Sequence, residues 1–525
     1  MEWSALAQSI FMTVYTFSLV MVSLYGLHRY ALVVLYYRHR RRAPRPAGRF
    51  DDLPRVTIQL PMYNEEAVAE RIIEKTCEVD YPAEKLQIQV LDDSTDNTGA
   101  IARATVERMA AGGVDIEYIH RADRTGYKAG ALSNGLKTAT GEFVTIFDAD
   151  FVPDPQILRR SIHHFTDPKV CVVQTRWEHL NRYDSLLTRS QAIFLDGHFA
   201  IEHVARNRSE RFMSFNGTAG TWRRAAIEDA GGWQHDTLTE DLDLSYRAQL
   251  KGWKFVFLPE LTAPAELPPE MLAFKAQQFR WTKGGAQTAL KILPKVFLSK
   301  APLKVKIESF FHLTSFTVHI YMMLLVTMLF PALYLQTVPM DEGTIWRGVF
   351  DIGVFALATF SAGVFYMASQ IGLFGDGGAA FNYMPMLMAL GIGMCISNTK
   401  AILEALFGRQ SEFVRTPKYG GSKAEVSEAA RTAPLPSAEA SADVPARRKR
   451  RKGAWLPYVE FGFGIYVSIC AVASVINFRA AMSTPFLVIF AFGFFYVSVL
   501  SFQTQRAEKP AAALAPEKAK ATAAK

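Results

Sequence analysis

The stretch Val56-Thr57-Ile58-Gln59-Leu60-Pro61-Met62-Tyr63-Asn64-Glu65 decides the reading of the fold. Its first five residues form a short run of strand type, which ends at a proline followed by polar residues that favour turns. The pattern recurs. Residues 88–91 form a second buried strand leading into Asp92-Asp93-Ser94-Thr95-Asp96, and residues 143–147 a third leading into Asp148-Ala149-Asp150. Apolar residues at helical spacing intervene, so residues 51–306 read as an α/β domain. In open α/β sheets ligands gather at the carboxyl ends of strands. Successive strand ends carrying Tyr63, Asn64, Asp92 and Asp93 therefore point to a nucleotide. Taken alone, Asp92, Asp93 and Ser94 are equally a turn that caps the next helix.

Three further groups carry chemistry. Asp148 and Asp150, two apart after a strand, can share a divalent cation and the diphosphate that it neutralises; Mg²⁺ and Mn²⁺ both accept such hard oxygen ligands. Thr239-Glu240-Asp241 precedes an amphipathic helix over 242–250. Thr239 is placed to cap it, leaving Asp241 as a general base for an acceptor hydroxyl. Gln277, Arg280 and Trp281 fall on one helix face, where an indole stacks on a sugar while amide and guanidinium groups read hydroxyls or phosphate. An interfacial helix with Trp and Arg at headgroup level explains that last set equally well when it stands alone.

The 525 residues are 21% charged and 50% hydrophobic, with a mean hydropathy of +0.06, which excludes a disordered or fibrous chain and is too apolar for an ordinary soluble enzyme. Near-uncharged runs lie at 9–27, 310–335, 349–374, 455–476 and 485–502, each about the ~20 residues a helix needs to cross a bilayer. The lipid bilayer is thus a partner. Much of the formal +8 charge sits at 38–45 and 447–452, beside apolar runs, so the positive-inside rule explains it without nucleic acid. No secretory leader is evident, and the first run reads as a retained anchor. The rule also places the α/β domain in the cytoplasm. The 14 residues from Met384 to Ser397 read as an interfacial or re-entrant segment, giving five spans. Four scattered cysteines fit a reduced compartment, and residues 422–453 and 506–525 read as a disordered linker and tail.

In this order on one domain, the motifs resemble the processive family 2 glycosyltransferases of the cellulose synthase superfamily. The nearer resemblance is to cellulose synthase-like A and C enzymes, whose A members are glucomannan mannosyltransferases. Its supports include Gly126-Tyr127-Lys128-Ala129-Gly130, Phe215-Asn216-Gly217-Thr218-Ala219-Gly220 and Ala230-Gly231-Gly232-Trp233. The resemblance implies a GT-A domain, a nucleotide-binding mixed sheet flanked by helices, embedded in an α-helical transmembrane bundle. It divides the chain into an anchor with a basic stop (1–45), the catalytic domain (46–266) and interfacial helices (267–306). Two spans (307–375), an interfacial segment with a gating-like loop (376–421), the linker, two more spans (454–505) and the tail follow.

Carried over by residue, the resemblance implies that Tyr63, Asn64, Asp92 and Asp93 line the nucleoside pocket. Lys128, Gln277 and Arg280 approach the diphosphate. Asp148 and Asp150 hold nucleotide and metal, with Asp150 the direct ligand. Asp241 is the base with Glu240 beside it, Phe215, Asn216, Gly217 and Thr218 contact the acceptor, and Trp281 stacks on its sugar. Phe413-Val414-Arg415-Thr416-Pro417-Lys418 looks like the gating loop that closes over the donor, with Phe413, Thr416 and Lys418 matching and Arg415 departing. The implied activity is inverting transfer from a nucleotide sugar of the UDP-glucose or GDP-mannose class to a growing β-linked polysaccharide, coupled to export across the plasma or inner membrane. The alternatives are transfer of one sugar to a lipid acceptor, as in ceramide glucosyltransferases, or a non-catalytic nucleotide-binding transporter. Five spans make a small bundle, so a second protomer or an accessory export subunit is a further expected partner.

Overall fold

In the computed structural model, residues 5–329, 342–409, 418, 420, 455–476 and 484–522 are described. The three predicted strands are present, two with wider bounds and the third one residue shorter: β1 (Val56–Met62), β2 (Leu86–Asp92) and, after β3 (Ile116–His120), β4 (Phe143–Ile146). With β5 (Val170–His179), β6 (Gly220–Arg223) and β7 (Lys254–Ala265) they form one seven-stranded sheet in the order β3-β2-β1-β4-β6-β5-β7. Strands β3, β2, β1 and β4 are mutually parallel, and β6 runs antiparallel to both neighbours. The chain winds from β1 outward through β2 to β3 and returns to place β4 on the other side of β1. That reversal opens a crevice at the carboxyl ends of β1 and β4, the standard ligand position in such sheets.

Strand side chains alternate, and both faces are covered. Val56, Ile58, Leu60, Ile88 and Val90 enter one apolar core, together with Ile72 and Ile73 of the helix Glu66–Cys77. The opposite face is polar yet buried, and most of its groups pair with one another, with Gln59 Oε1 left without a partner among the described residues. Thr57 donates to Gln87 at 2.8 Å, Gln59 to Gln89 at 2.9 Å and Gln89 to Glu117 at 2.8 Å. Trp222 anchors a second core, with its indole edge-on to Phe215, Trp233 and Phe255.

The helix Met271–Leu298 runs from the catalytic domain beneath the membrane bundle and is fastened to it by two ion pairs. Lys275 meets Glu460 at 2.5 Å and Lys283 meets Glu404 at 3.0 Å. Both lysines are buried, so each carboxylate partner is required to offset lost hydration.

Among the described residues, six helices are long and apolar enough to cross a membrane, one more than the five expected. The additional one is the segment Gly378–Leu406, which contains the 14 residues taken as interfacial. Counting the uncharged run alone understated it, because helix continues on both sides past the run. Its two ends nevertheless meet the same region: Arg189 stacks on Tyr383 near one end, and Glu404 pairs with Lys283 near the other. A second difference concerns the tail. The helix Thr484–Thr522 runs through the residues expected to be a disordered tail, where alanine and lysine favour helix although Pro510 and Pro516 lie within it. The expected linker over 422–453 lies outside the described residues.

Trp222→Ala is expected to cost about 3–5 kcal/mol, because its indole is fully buried at the centre of an aromatic cluster. Thermal unfolding of the protein in lipid, followed by tryptophan fluorescence, measures the loss.

Candidate active site

The crevice is walled by strand ends, one helix start and the long interfacial helix. Pro61, Met62 and Tyr63 come from the end of β1, Asp93 from β2, Asp148 and Asp150 from β4, and Asn216 and Gly217 from the loop before β6. Glu240, Asp241, Gln277, Arg280, Trp281 and Lys418 complete it. Sequence separations of up to several hundred residues collapse here because the switch point gathers strand ends that are unrelated in chain order.

Lys128 is the hub of the inner wall. It stands in the first turn of the helix Tyr127–Gly135 and donates to Asp148 Oδ1 at 2.5 Å and to the Gly217 carbonyl at 2.8 Å. Burial alone would lower its ammonium pKa, but Asp148, Glu240 and Asp241 together raise it, so the charge is held. The Asp148 N–H donates to Thr218 Oγ1 at 2.8 Å, tying the end of β4 to the loop before β6. Gly217 has φ of +80°, and a Cβ there would come within 3.0 Å of Asp241 Oδ2. Only glycine combines that backbone with room for the carboxylate.

Asp241 opens the helix Glu240–Leu250, one residue pair earlier than expected, and its Oδ1 accepts from the Leu242 N–H at 2.8 Å. Thr239 does not cap that helix as expected, because its hydroxyl is engaged with Thr288 at 3.1 Å. Burial first, and the neighbouring Glu240 second, push the Asp241 carboxyl up to about 7. Glu240 is raised as well, by burial in the first place. Arg280 on the facing helix is lowered by burial, with Glu240, Asp148, Asp241 and Asp150 opposing that shift. One guanidinium thus sits within the field of four carboxylates. Trp281 lies on the same face, its ring 6.5 Å from that of Trp177.

Several expected site residues stand behind the wall rather than on it. Asp92 is buried, accepting from the Tyr118 hydroxyl at 2.6 Å and the Ser94 N–H at 2.9 Å, so it holds the loop after β2. Asn64 ties the loops after β1 and β2, donating from its backbone N–H to Ser94 and accepting from the Thr95 N–H, both at 2.8 Å. Phe215 is wholly buried against Trp222, and Thr218 acts through Asp148. Phe413 and Thr416 lie outside the described residues. Lys418 reaches the cleft and donates to Asp150 Oδ2 at 2.5 Å.

Other cleft groups had no motif to announce them. Arg121 forks onto both oxygens of Asp93 at 2.8 and 2.5 Å, so the carboxylate at the end of β2 is fixed in direction. Arg124 lies over the Tyr63 ring, 3.2 Å from its centre. Trp177 faces Trp281, giving two indoles where one was expected. The Arg121-x-x-Arg124 pair following β3 is the signal that would have pointed there: a third strand end on the same edge of the sheet.

Residues 54–284 match the model of the glycosyltransferase-like family 2. Glucomannan 4-beta-mannosyltransferase 2 of Arabidopsis thaliana is 37% identical over 385 residues, covering 71% of this chain and 69% of that protein. The chain belongs to glycosyltransferase family 2, in its cellulose synthase-like A group. A second relative, probable glucomannan 4-beta-mannosyltransferase 9 of Oryza sativa subsp. japonica, is 34% identical over 459 residues, or 85% of this chain and 81% of that one. Among solved structures, the mannosyltransferase PcManGT from Pyrobaculum calidifontis in complex with GDP-Man and Mn²⁺ aligns with a TM-score of 0.48 at 21% identity, over 75% of this chain and all of that one. This glycosyltransferase is therefore a hexosyltransferase with a GT-A domain, joined to helices able to span a membrane.

The environment of Asp241 has a kinetic signature. Its base form accumulates as pH rises, so kcat/KM is expected to increase through a midpoint near 7 instead of the usual ~3.9 of an aspartate. Rates independent of pH down to about 5 would contradict it. Gly217→Ala is expected to lower kcat roughly tenfold by straining the loop and displacing Asp241, which steady-state kinetics at saturating substrates would show.

Proposed function

We propose that this glycosyltransferase moves a hexose from a nucleotide sugar of the GDP-mannose or UDP-glucose class to the end of a growing β-linked polysaccharide. The relatives' names favour a mannosyl donor and a glucomannan-type product. The observation that carries the reading is the position of Asp241. It abuts the Gly217 loop and faces Lys128 and Arg280 across one cleft that Trp281 also lines.

The chemistry follows from that placement. The acceptor sugar lies on Trp281 with its hydroxyl toward Asp241, and the nucleoside lies along Tyr63, Arg124 and Asp93. Asp241 takes the proton as the acceptor oxygen bonds to the anomeric carbon; the bond from that carbon to the diphosphate breaks, and the configuration inverts. Arg280, Gln277 and Lys128 hold the departing phosphates, and a charge matched by arginine and lysine in a partly dehydrated cleft is stabilised more than it would be in water.

Asp148 and Asp150 fit a divalent ion such as Mg²⁺ or Mn²⁺. Both present hard carboxylate oxygens, and each already attracts one cation, the ammonium of Lys128 or of Lys418. The described residues include no group of three or more His, Cys, Asp or Glu placed to hold a metal, so diphosphate and water would supply the remaining ligands. When bound, the ion neutralises charge that develops on the diphosphate.

Support for a membrane orientation comes from charge and from contacts. The basic cluster after the first span supports a catalytic domain on the cytoplasmic side. With both ends of the segment Gly378–Leu406 against that domain and its adjoining helix, the segment enters the bilayer and returns, leaving five crossings. Such a bundle, in the plasma or inner membrane, receives the polymer directly from the cleft and exports it.

Asp241→Asn keeps the shape and removes the base. Turnover should fall by about 10²–10⁴, while nucleotide affinity stays within about twofold; radiolabelled UDP- and GDP-sugars with Mg²⁺ or Mn²⁺, product sizing and glycanase digestion read both donor and linkage. A variant with normal turnover sinks the base assignment, and a single-sugar lipid product moves the chain to the lipid glycosyltransferases.

A further inference from the structure

Behind Asn216, a chain of polar side chains runs from the cleft wall into the membrane bundle. Asn216 Oδ1 lies 2.6 Å from His203 Nε2, and its Nδ2 lies 2.8 Å from His198 Nε2. His198 Nδ1 reaches Glu202 at 3.0 Å, Glu202 accepts from Arg206 at 3.0 Å, and Arg206 Nε donates to Glu308 at 2.9 Å. Glu308 ends the chain at His28 of the first membrane helix, 3.1 Å away. The Arg206 and Glu308 side chains are 2% and 5% exposed, so this end of the chain is internal, while His198 and Glu202 are each 26% exposed.

The backbone explains how two imidazoles reach one amide. His198 and His203 belong to a π-helical turn, Gly197–His203, inserted between the α-helices Leu186–Asp196 and Val204–Arg208. Five residues along an α-helix are about 140° apart around the axis, whereas a π-turn joins residues i and i+5. The turn brings the two rings onto one face, their centres 4.4 Å apart. A single-turn π insertion of this kind is a rare device found mostly at functional sites.

The protons of the chain have one consistent arrangement. Glu202 requires N–H at Nδ1 of His198, so Nε2 of that ring is the acceptor and the Asn216 amide nitrogen donates to it. Oδ1 of Asn216 must then accept, and Nε2 of His203 is the donor. The remaining nitrogen of His203, Nδ1, is buried without a hydrogen-bond partner, as suits a bare lone pair and not a charged N–H. Burial keeps that ring neutral. Turning the amide over would set Oδ1 against the bare Nε2 of His198 and the amide N–H against the N–H of His203. The asparagine is thereby locked, and its second N–H and second lone pair are presented in fixed directions.

We infer that His198 and His203 are positioning residues that lock the Asn216 carboxamide as an oriented reader of acceptor hydroxyls, and that Glu202, Arg206 and Glu308 fasten this lock to the first two membrane helices. The inference rests on the acceptor side of the function proposed above. It assigns to membrane-helix packing a direct effect on how the acceptor is held, and it leaves the donor pocket out of the linkage. Of the donor contacts, Arg124 and Asp93 stand at other strand ends, while Lys128 donates to the backbone carbonyl of Gly217 and not to the Asn216 carboxamide.

The test uses the full chain in lipid nanodiscs, with the nucleotide sugar that supports wild-type turnover and β-linked oligosaccharides of defined length as acceptors. Donor and acceptor KM are measured separately. His203→Leu and Glu308→Gln should each raise acceptor KM at least fivefold with donor KM within twofold. His203→Gln, which keeps an N–H donor, should stay within twofold of wild type for both. In the Asn216→Ala background His203→Leu should add nothing further. If His203→Leu does not fold, Glu308→Gln in the same background completes the comparison. Donor and acceptor KM rising together, effects that add in the double variant, or His203→Gln as impaired as His203→Leu would overturn the inference, as would an unmoved acceptor KM. A wild-type protein that transfers to no oligosaccharide overturns the functional reading itself, and the acceptor wall falls with it.

Discussion

Lys128 carries a single ammonium between the Asp148 carboxylate and the Gly217 carbonyl, and the cleft is arranged around that contact. Carboxylates at the ends of parallel strands repel one another strongly when water is partly excluded, so their assembly requires cations placed by the fold. Lys128 answers Asp148, Arg121 answers Asp93, Lys418 answers Asp150, and Arg280 lies in the field of the rest. Among the described residues Asp241 joins no ion pair, and burial, followed by the neighbouring Glu240, raises its carboxyl. The same balance of charge thus yields both a wall of paired charges and, in Asp241, a carboxyl that titrates near neutrality.

The catalytic domain and the membrane bundle share a core of ion pairs. Lys275 with Glu460, Lys283 with Glu404, and Arg206 with Glu308 all join an element of the domain or its adjoining helix to a membrane helix. Charges buried this deeply leave little freedom, because losing one partner strands the other without water. The helix that bears Gln277, Arg280 and Trp281 is therefore held in a set position against the helices able to span a membrane.

Local patterns made much of this legible in advance. β1, β2 and β4 were readable from short apolar runs, and Asp148, Asp150, Asp241 and Trp281 from their positions after strands and on helix faces. What the motifs could not show was which members of a motif touch a ligand: Asp92 and Asp93 are adjacent, yet one fastens a loop and the other lines the cleft, since side chains alternate along the end of a strand. The diversion of the Thr239 hydroxyl to Thr288 was equally hidden, because its partner lies 49 residues away. The segment Gly378–Leu406 was misjudged in length for a related reason, as an uncharged run is shorter than the helix around it.

The sequence by itself determined the family, the placement of acids at strand ends and the apolar runs that become membrane helices, because each of these depends on residue type within a short window. Tertiary structure decided the rest. The pairing of Arg121 with Asp93, the approach of Lys418 to Asp150 and the second indole at Trp177 arise from segments brought together at a sheet reversal. The π-helical turn at Gly197–His203 belongs in the same class, since no residue pattern distinguishes it from an α-helix until packing against Asn216 and the membrane helices selects it.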